Sequence, residues 1–147
     1  MLLLHNPKAK FDYEIKETLM AGIVLEGREV KSLRGKSGSL KEAYVKIIGG
    51  EAFLINAQIS PYKYADNSNY DPKRTRKILL KKREITKLAE ATDNKKMTLV
   101  PLTLELTGKH IKLQIGVGRG KKQYEKKAII KRRDQERDLA REMKDHS

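Results

Sequence analysis

Residues 98–117 constrain the fold more than any other stretch of this chain. Val100, Leu102, Leu104 and Leu106 recur at every second position, and Ile111, Leu113, Ile115 and Val117 do the same after a Thr107-Gly108-Lys109 break. A period of two places one apolar face on each arm, and the glycine-centred link joins the arms as a β-hairpin. A lone hairpin is at best marginally stable in water, so the rest of the chain must supply strands that complete the sheet. Pro101 has no N–H for the ladder, which places it at an edge or a bulge.

Those strands are legible. Residues 43–48 and 51–59 flank Gly49-Gly50, with Val45 and Ile47 alternating on one arm and Phe53, Ile55, Ala57 and Ile59 on the other. Residues 12–16 set Tyr13 and Ile15 against Asp12, Glu14 and Lys16, and the apolar run 23–25 reads as a second strand beyond Gly22. After Gly27 the spacing of Val30 and Leu33, with Arg28, Glu29, Lys31 and Arg34 pointing elsewhere, predicts a short amphipathic helix closed by residues 35–39. Ile85, Leu88 and Ala89 form a second helical stripe, with Ile78 two turns back and an end near Asp93-Asn94. Residues 5–10 show no regular pattern. The fold class is therefore mainly β with embedded helices: about six short strands and two helices forming a small antiparallel barrel of the OB type.

Charge divides the chain further. The formal net charge is +14, and it is concentrated. Residues 73–87 and 119–133 each hold eight basic side chains and one acid, and elsewhere the two signs balance. Two cationic runs on a neutral body form the footprint expected for a polyanion, whereas a solubilising surface would intersperse the signs. The run 119–133 lacks the apolar surface needed to offset the entropy of ordering, so alone it is expected to stay disordered. Residues 1–118 then form the barrel and 119–147 a basic tail, with the ordered body ending near Val117 and Gly116 to Gly120 acting as a hinge.

Several classes fall away. Without cysteine there is neither a disulfide framework nor a thiolate metal site, and the three histidines lie in no ligand cluster, so no metal or cofactor is expected. The apolar residues 1–4 are too few for a signal peptide and no segment reaches spanning length. Neither basic run sits opposite a leucine- or phenylalanine-rich face, which argues against a membrane partner. The chain reads as a cytoplasmic, monomeric, one-domain protein. No nucleophile elbow, phosphate-cradling loop or zincin motif is present, and the carboxylates are scattered among lysines, so catalysis is not expected. A carboxylate–metal nuclease and a general OB-type ribosomal or initiation protein remain as rival readings. Around residues 60–74, arginines suited to phosphate lie near Tyr62, Tyr64 and Tyr70, which offer either stacking platforms or plain loop packing.

A series of short segments, Ala21-Gly22-Ile23-Val24-Leu25, GREVKSLR at 27–34, Ile59-Ser60-Pro61, residues 71–80, Leu99-Val100-Pro101-Leu102 and GKKQYEKK at 120–127, runs along the chain in a distinctive order and spacing. In these segments the chain resembles a known family, the SsrA-binding (small protein B) proteins that partner transfer-messenger RNA in bacteria. The resemblance runs from about Asn6 to Met143. It implies an OB-type barrel that binds the tRNA-like domain of transfer-messenger RNA and delivers it to ribosomes stalled on truncated messages. It assigns RNA contacts to Asn6, Tyr13 and Leu79, with basic support from Lys8, Lys10, Lys31, Arg34, Arg74 and Arg76. It implies that a tail with Gly120, Lys121, Lys122, Glu125, Lys126, Lys127 and Lys131 becomes a helix in the vacant message channel of the small subunit, beside the RNA of the decoding centre, and substitutes for the codon–anticodon pair. The chain departs from the family at Met20, commonly Glu, at residues 34–39, usually Arg-Ala-Gly-Lys-Ala-Asn, and at Glu125-Lys126-Lys127, usually Asp-Lys-Arg.

Overall fold

The protein is described by a computed structural model over residues 1–121. The expectations for Lys122, Glu125, Lys126, Lys127, Lys131 and a tail disordered when free lie outside the described residues. In chain order the elements are β1 Leu2–His5, α1 Ala9–Asp12, β2 Tyr13–Ile23, α2 Gly27–Arg34, β3 Gly38–Ser39 and β4 Tyr44–Ile48. They continue with β5 Glu51–Ile55, β6 Gln58–Ile59, β7 Arg76–Leu79, α3 Lys82–Asp93, β8 Thr98–Thr107 and β9 His110–Gly120. Seven strands form one antiparallel sheet in the order β1-β8-β9-β2-β7-β5-β4, and β3 pairs with β6 alone.

The hairpin that dominates the sequence forms as its pattern demands. Leu104 pairs with Leu113 and Leu106 with Ile111, while Gly108 supplies the positive φ of 62° that the turn needs. Pro101 does sit at a bulge, where the register shifts between Pro101 and Thr103. One extra residue turns the following side chains to the opposite face. Leu99 and Leu104 therefore reach the main core with Leu54, Leu113 and Ile115, whereas Val100 and Leu102 bury in a second cluster against Ala9, Tyr13 and Ile15. The single-faced strand expected from residues 100–106 is thus shared between two cores. Leu33 of α2 and Leu88 of α3 fill the main one.

Four local expectations are corrected. β2 is one continuous strand through Gly22, so residues 23–25 form no separate strand. Ile78 belongs to β7 rather than to the helical stripe of α3, because Lys81 supplies an extended N-cap and the Glu84 side chain accepts its backbone N–H at 2.9 Å. The arm 51–59 breaks into β5 and β6 at Asn56, whose φ is 65°. Gly116 to Gly120 are not a hinge but the end of β9, which runs beyond Val117 to pair Gly120 with Tyr13. Residues 5–10, unpatterned in sequence, contain the end of β1 and the start of α1.

The sheet curls until β4 comes close to β8 without joining it in the ladder, which makes a partly open barrel. The gap holds a cleft of about 510 Å³ lined by Asn6, Lys8, Tyr13, Lys41, Tyr44 and Thr98 among others.

The β9 glycines report the closeness of this packing. A Cβ on Gly118 would collide with the carbonyl oxygen of Glu14, beside the β2 bulge, whereas one on Gly120 would meet nothing within 4 Å. Gly118→Ala is expected to destabilise the barrel by about 1–3 kcal/mol in urea unfolding. Gly120→Ala should be close to neutral.

Candidate nucleic-acid interface

The electrostatic centre of the barrel is a carboxylate that the helical periodicity placed outside. Glu29 lies on the inner face of α2 with Ser32 and Leu33 and is fully buried. Its Oε2 accepts hydrogen bonds from Arg76 Nε at 2.9 Å and Arg76 Nη2 at 2.5 Å, and its Oε1 accepts one from Arg74 Nη2 at 2.5 Å. Oε1 also accepts the Glu26 backbone N–H at 2.9 Å, which caps the helix. Burial pushes the carboxyl of Glu29 upward, but hydrogen bonds from Arg74, the Glu26 N–H and Arg76 outweigh it and hold the group below its ordinary range. Burial opposes the charge on Arg74, and Glu29 with Glu26 more than restores it.

Arg76 is consumed by this arrangement. Its guanidinium is fully buried and donates also to the carbonyls of Ala57 at 2.6 Å and Pro72 at 3.1 Å. It cannot reach an RNA phosphate, and its expected role as basic support is corrected to one inside the protein. Arg74 is half-buried between Glu29 and Glu26. Of the other basic residues in 73–87, Lys77 pairs with Glu51 at 3.3 Å and Lys87 with Glu17 at 3.1 Å. Among the described residues Lys73, Lys81, Lys82 and Arg83 stand exposed with no acid within 4 Å. The +7 of this run therefore overstates what a polyanion meets, although exposed ion pairs are worth so little that a phosphate can displace the acid.

The other expected contacts fall into separate groups. Asn6 donates through Nδ2 to the Pro101 carbonyl at 3.1 Å and accepts the Lys8 N–H at 3.3 Å, so it stitches the β1–α1 turn to the β8 bulge. Together with Tyr13 and Lys8 it lines the cleft, while Lys10 is exposed nearby on α1. Leu79, 52% exposed, lies beside Gly22 at the opposite end of β2, with Met20 also exposed on that strand. Tyr13 and Gly22 are about nine residues apart, roughly 30 Å of strand. Lys31 and Arg34 are exposed on α2, with the Lys31 ammonium 5.7 Å from the Tyr62 ring. No single concavity gathers these residues.

The start of the basic tail is held in place. The Lys121 N–H donates to the Asp12 carbonyl at 2.7 Å, and Lys121 Nζ donates to the Lys10 carbonyl at 2.6 Å. Lys121 thus sits beside α1, near the cleft lined by Asn6 and Tyr13.

Sequence reasoning missed Glu29, because a period of 3.6 assigns charged residues to the wet face by default. A signal was available: Arg74 and Arg76 alternate at strand spacing, so both point to one face and call for a shared acid.

Comparison with known proteins agrees over almost the whole chain. The SmpB protein family model matches residues 3–145. An SsrA-binding protein of Staphylococcus saprophyticus is 49% identical over 142 residues, covering 97% of this chain and 92% of its own. The SsrA-binding protein of Streptococcus pyogenes serotype M49 is 49% identical over 146 residues, covering 99% and 94%. Among solved structures, a chain described under "tmRNA-SmpB: a journey to the center of the bacterial ribosome" superposes with a TM-score of 0.69 at 40% identity, over 84% of this chain and 87% of that one.

Removing the charge of Glu29 leaves two guanidiniums facing a buried neutral group. Glu29→Gln is expected to destabilise the barrel by about 3–5 kcal/mol in urea unfolding at neutral pH. Because the folded carboxyl is held below its ordinary value of 4.5, its stabilisation is complete above that pH and drains away as pH falls further. The wild-type unfolding midpoint should therefore fall on acidification below about 4.5, and this component should be missing from the variant.

Proposed function

The chain belongs to the SmpB protein family, and from that premise we propose that it binds the tRNA-like part of transfer-messenger RNA and carries it to stalled ribosomes. The observation that carries this reading is the family match over residues 3–145, which takes in the barrel and the basic segment alike. The protein works as a non-enzymatic adaptor in the cytoplasm, where ribosomes are.

The geometry supports a folded RNA rather than a single strand as ligand. Asn6 and Tyr13 at one end of β2 and Leu79 at the other are too far apart for one base or one loop to touch both. A rigid RNA body can span them, read by shape, stacking and 2′-hydroxyl contacts. Lys8, Lys10, Lys31 and Arg34 supply phosphate neutralisation, and Arg74 contributes through its exposed portion. Arg76 acts indirectly: it anchors β7 to α2, and so holds Leu79 and the helix that presents Lys31 and Arg34.

In this reading the C-terminal segment is the ribosome-directed half. Gly120 and Lys121 root it on the barrel, and Lys122, Glu125, Lys126, Lys127 and Lys131 enter the vacant message channel and stand in for the codon–anticodon pair. A segment that orders only against RNA spends part of its interaction energy on folding. That cost favours ribosomes whose channel is empty, because a message in the channel removes the compensating contacts. Lys127 in place of the family's usual arginine keeps the charge and gives up a bidentate fork.

Truncation after Lys121 keeps β9 and both Lys121 anchors. The truncated protein is expected to bind the tRNA-like RNA within about threefold of full length at equal salt, since its barrel contacts remain. It should fail to support peptidyl transfer to transfer-messenger RNA on ribosomes stalled without a codon. Normal rescue by the truncated form would defeat the tail assignment. Binding by the full-length chain should also weaken linearly in log–log terms as salt rises.

A further inference from the structure

In sequence the three tyrosines of the 60–72 loop are equivalent, but the fold gives them three different environments. Tyr70 turns inward: its hydroxyl donates to the Ile59 carbonyl at 2.7 Å, and the Arg28 guanidinium lies 4.6 Å from its ring centroid. Tyr62 is half-buried, and its carbonyl accepts the Asn67 Nδ2 at 2.8 Å and the Ala65 N–H at 3.0 Å. Tyr64 turns out. It is 76% exposed, packs against Tyr62 in a T-shaped arrangement with centroids 5.5 Å apart and planes at 72°, and has the Lys63 ammonium 4.8 Å from its ring.

We propose that Tyr64 is a stacking platform for an unpaired RNA base, with the flanking phosphates held by Lys63 and Lys31. This rests on the RNA-binding reading above and adds a contact point distinct from Asn6, Tyr13 and Leu79. Three observations carry it. A ring left this open contributes little to the core, yet it offers a face on which any base can stack. The loop that presents it is pre-organised: Asn67 bridges Tyr62 and Ala65, Tyr70 N–H bonds to the Asn67 carbonyl, and Arg28 Nη1 pins the Asp66 carbonyl to α2 at 2.7 Å. Little conformational freedom is then left to lose when a base arrives. The charge around the ring is also suited to a polyanion. Lys63 and Lys31 flank the tyrosine pair, whereas Asp66 in the same loop directs its carboxylate onto the backbone N–H and hydroxyl of Ser68 at 3.0 and 2.8 Å.

The test uses the full-length chain and two RNAs at fixed salt: the tRNA-like RNA, which carries unpaired loop bases, and a fully paired duplex of the same length. Tyr64→Ala is expected to weaken binding of the tRNA-like RNA about tenfold, or about 1.4 kcal/mol, and to leave the duplex unaffected. Tyr64→Phe should keep wild-type affinity, because the ring and not the hydroxyl does the stacking. Stacking releases no counterions, so the salt slope of Tyr64→Ala should match wild type, whereas Lys63→Gln should lower it by about one. Equal affinity of Tyr64→Ala and wild type for the tRNA-like RNA overturns the platform alone. So does an equal loss on both RNAs, or a reduced salt slope in Tyr64→Ala. Failure of the wild type itself to prefer the tRNA-like RNA overturns the functional reading, and the platform with it.

Discussion

Glu29 has no access to water, and the barrel is arranged so that it never needs any. Two guanidiniums and a backbone N–H satisfy both carboxylate oxygens. The same two arginines hold β7 and, through Arg76, the carbonyls of Ala57 and Pro72. Ser32, one turn along α2 from Glu29, donates to the Ser60 carbonyl at 2.6 Å and so fastens the beginning of the same loop. One buried ionic cluster therefore fixes a helix, a strand and the sixteen-residue connection between β6 and β7, which would otherwise have little to hold it. A buried pair of this kind adds little net stability over a well-packed apolar substitute. Its contribution here is geometric, since a guanidinium fork accepts a carboxylate in few orientations.

That constraint decides how the protein's positive charge is spent. Of the 73–87 run Arg76 works inside the molecule and Arg74 is half-buried against Glu29, whereas Lys73, Lys81, Lys82 and Arg83 remain on the surface. The outcome is a set of spaced cationic points: Lys8 and Lys10 near α1, Lys31 and Arg34 on α2, and the start of α3. Spaced points suit a folded RNA of defined shape, because they reward a matching arrangement of phosphates rather than any strand that passes. The tail then begins at a fixed place. Lys121 is tied to α1 through the carbonyls of Asp12 and Lys10, next to the cleft that Asn6 and Tyr13 line.

Most of the sheet could be read before any coordinates. The 98–117 hairpin, the Gly49-Gly50 turn, the bulge at Pro101 and the helix of residues 27–34 all follow from local periodicity and turn chemistry, and all are present. The misreadings share a cause as well. The seven positions between Ile78 and Ile85 fit a helical stripe by spacing alone, yet Ile78 lies in β7. The glycines of 116–120 suggested flexibility, yet Gly118 answers to close approach by the Glu14 carbonyl on β2. Asn6 and Tyr13 could be singled out from the family's motifs, but their distance from Leu79 depends on how β2 runs the length of the barrel.

Sequence alone determined the local elements, the two concentrations of positive charge and the family, since each is written in neighbouring residues or in the order of short motifs. Tertiary structure decided which charges remain available. Glu29 and Arg76 are separated by 47 positions, and nothing near either one says that they will neutralise each other. It also decided that Tyr70 faces inward and Tyr64 outward, although both lie in one loop of similar composition. Burial belongs to the packed chain rather than to the residue: the cost of removing a charge from water is met only when folding brings its partner from far away.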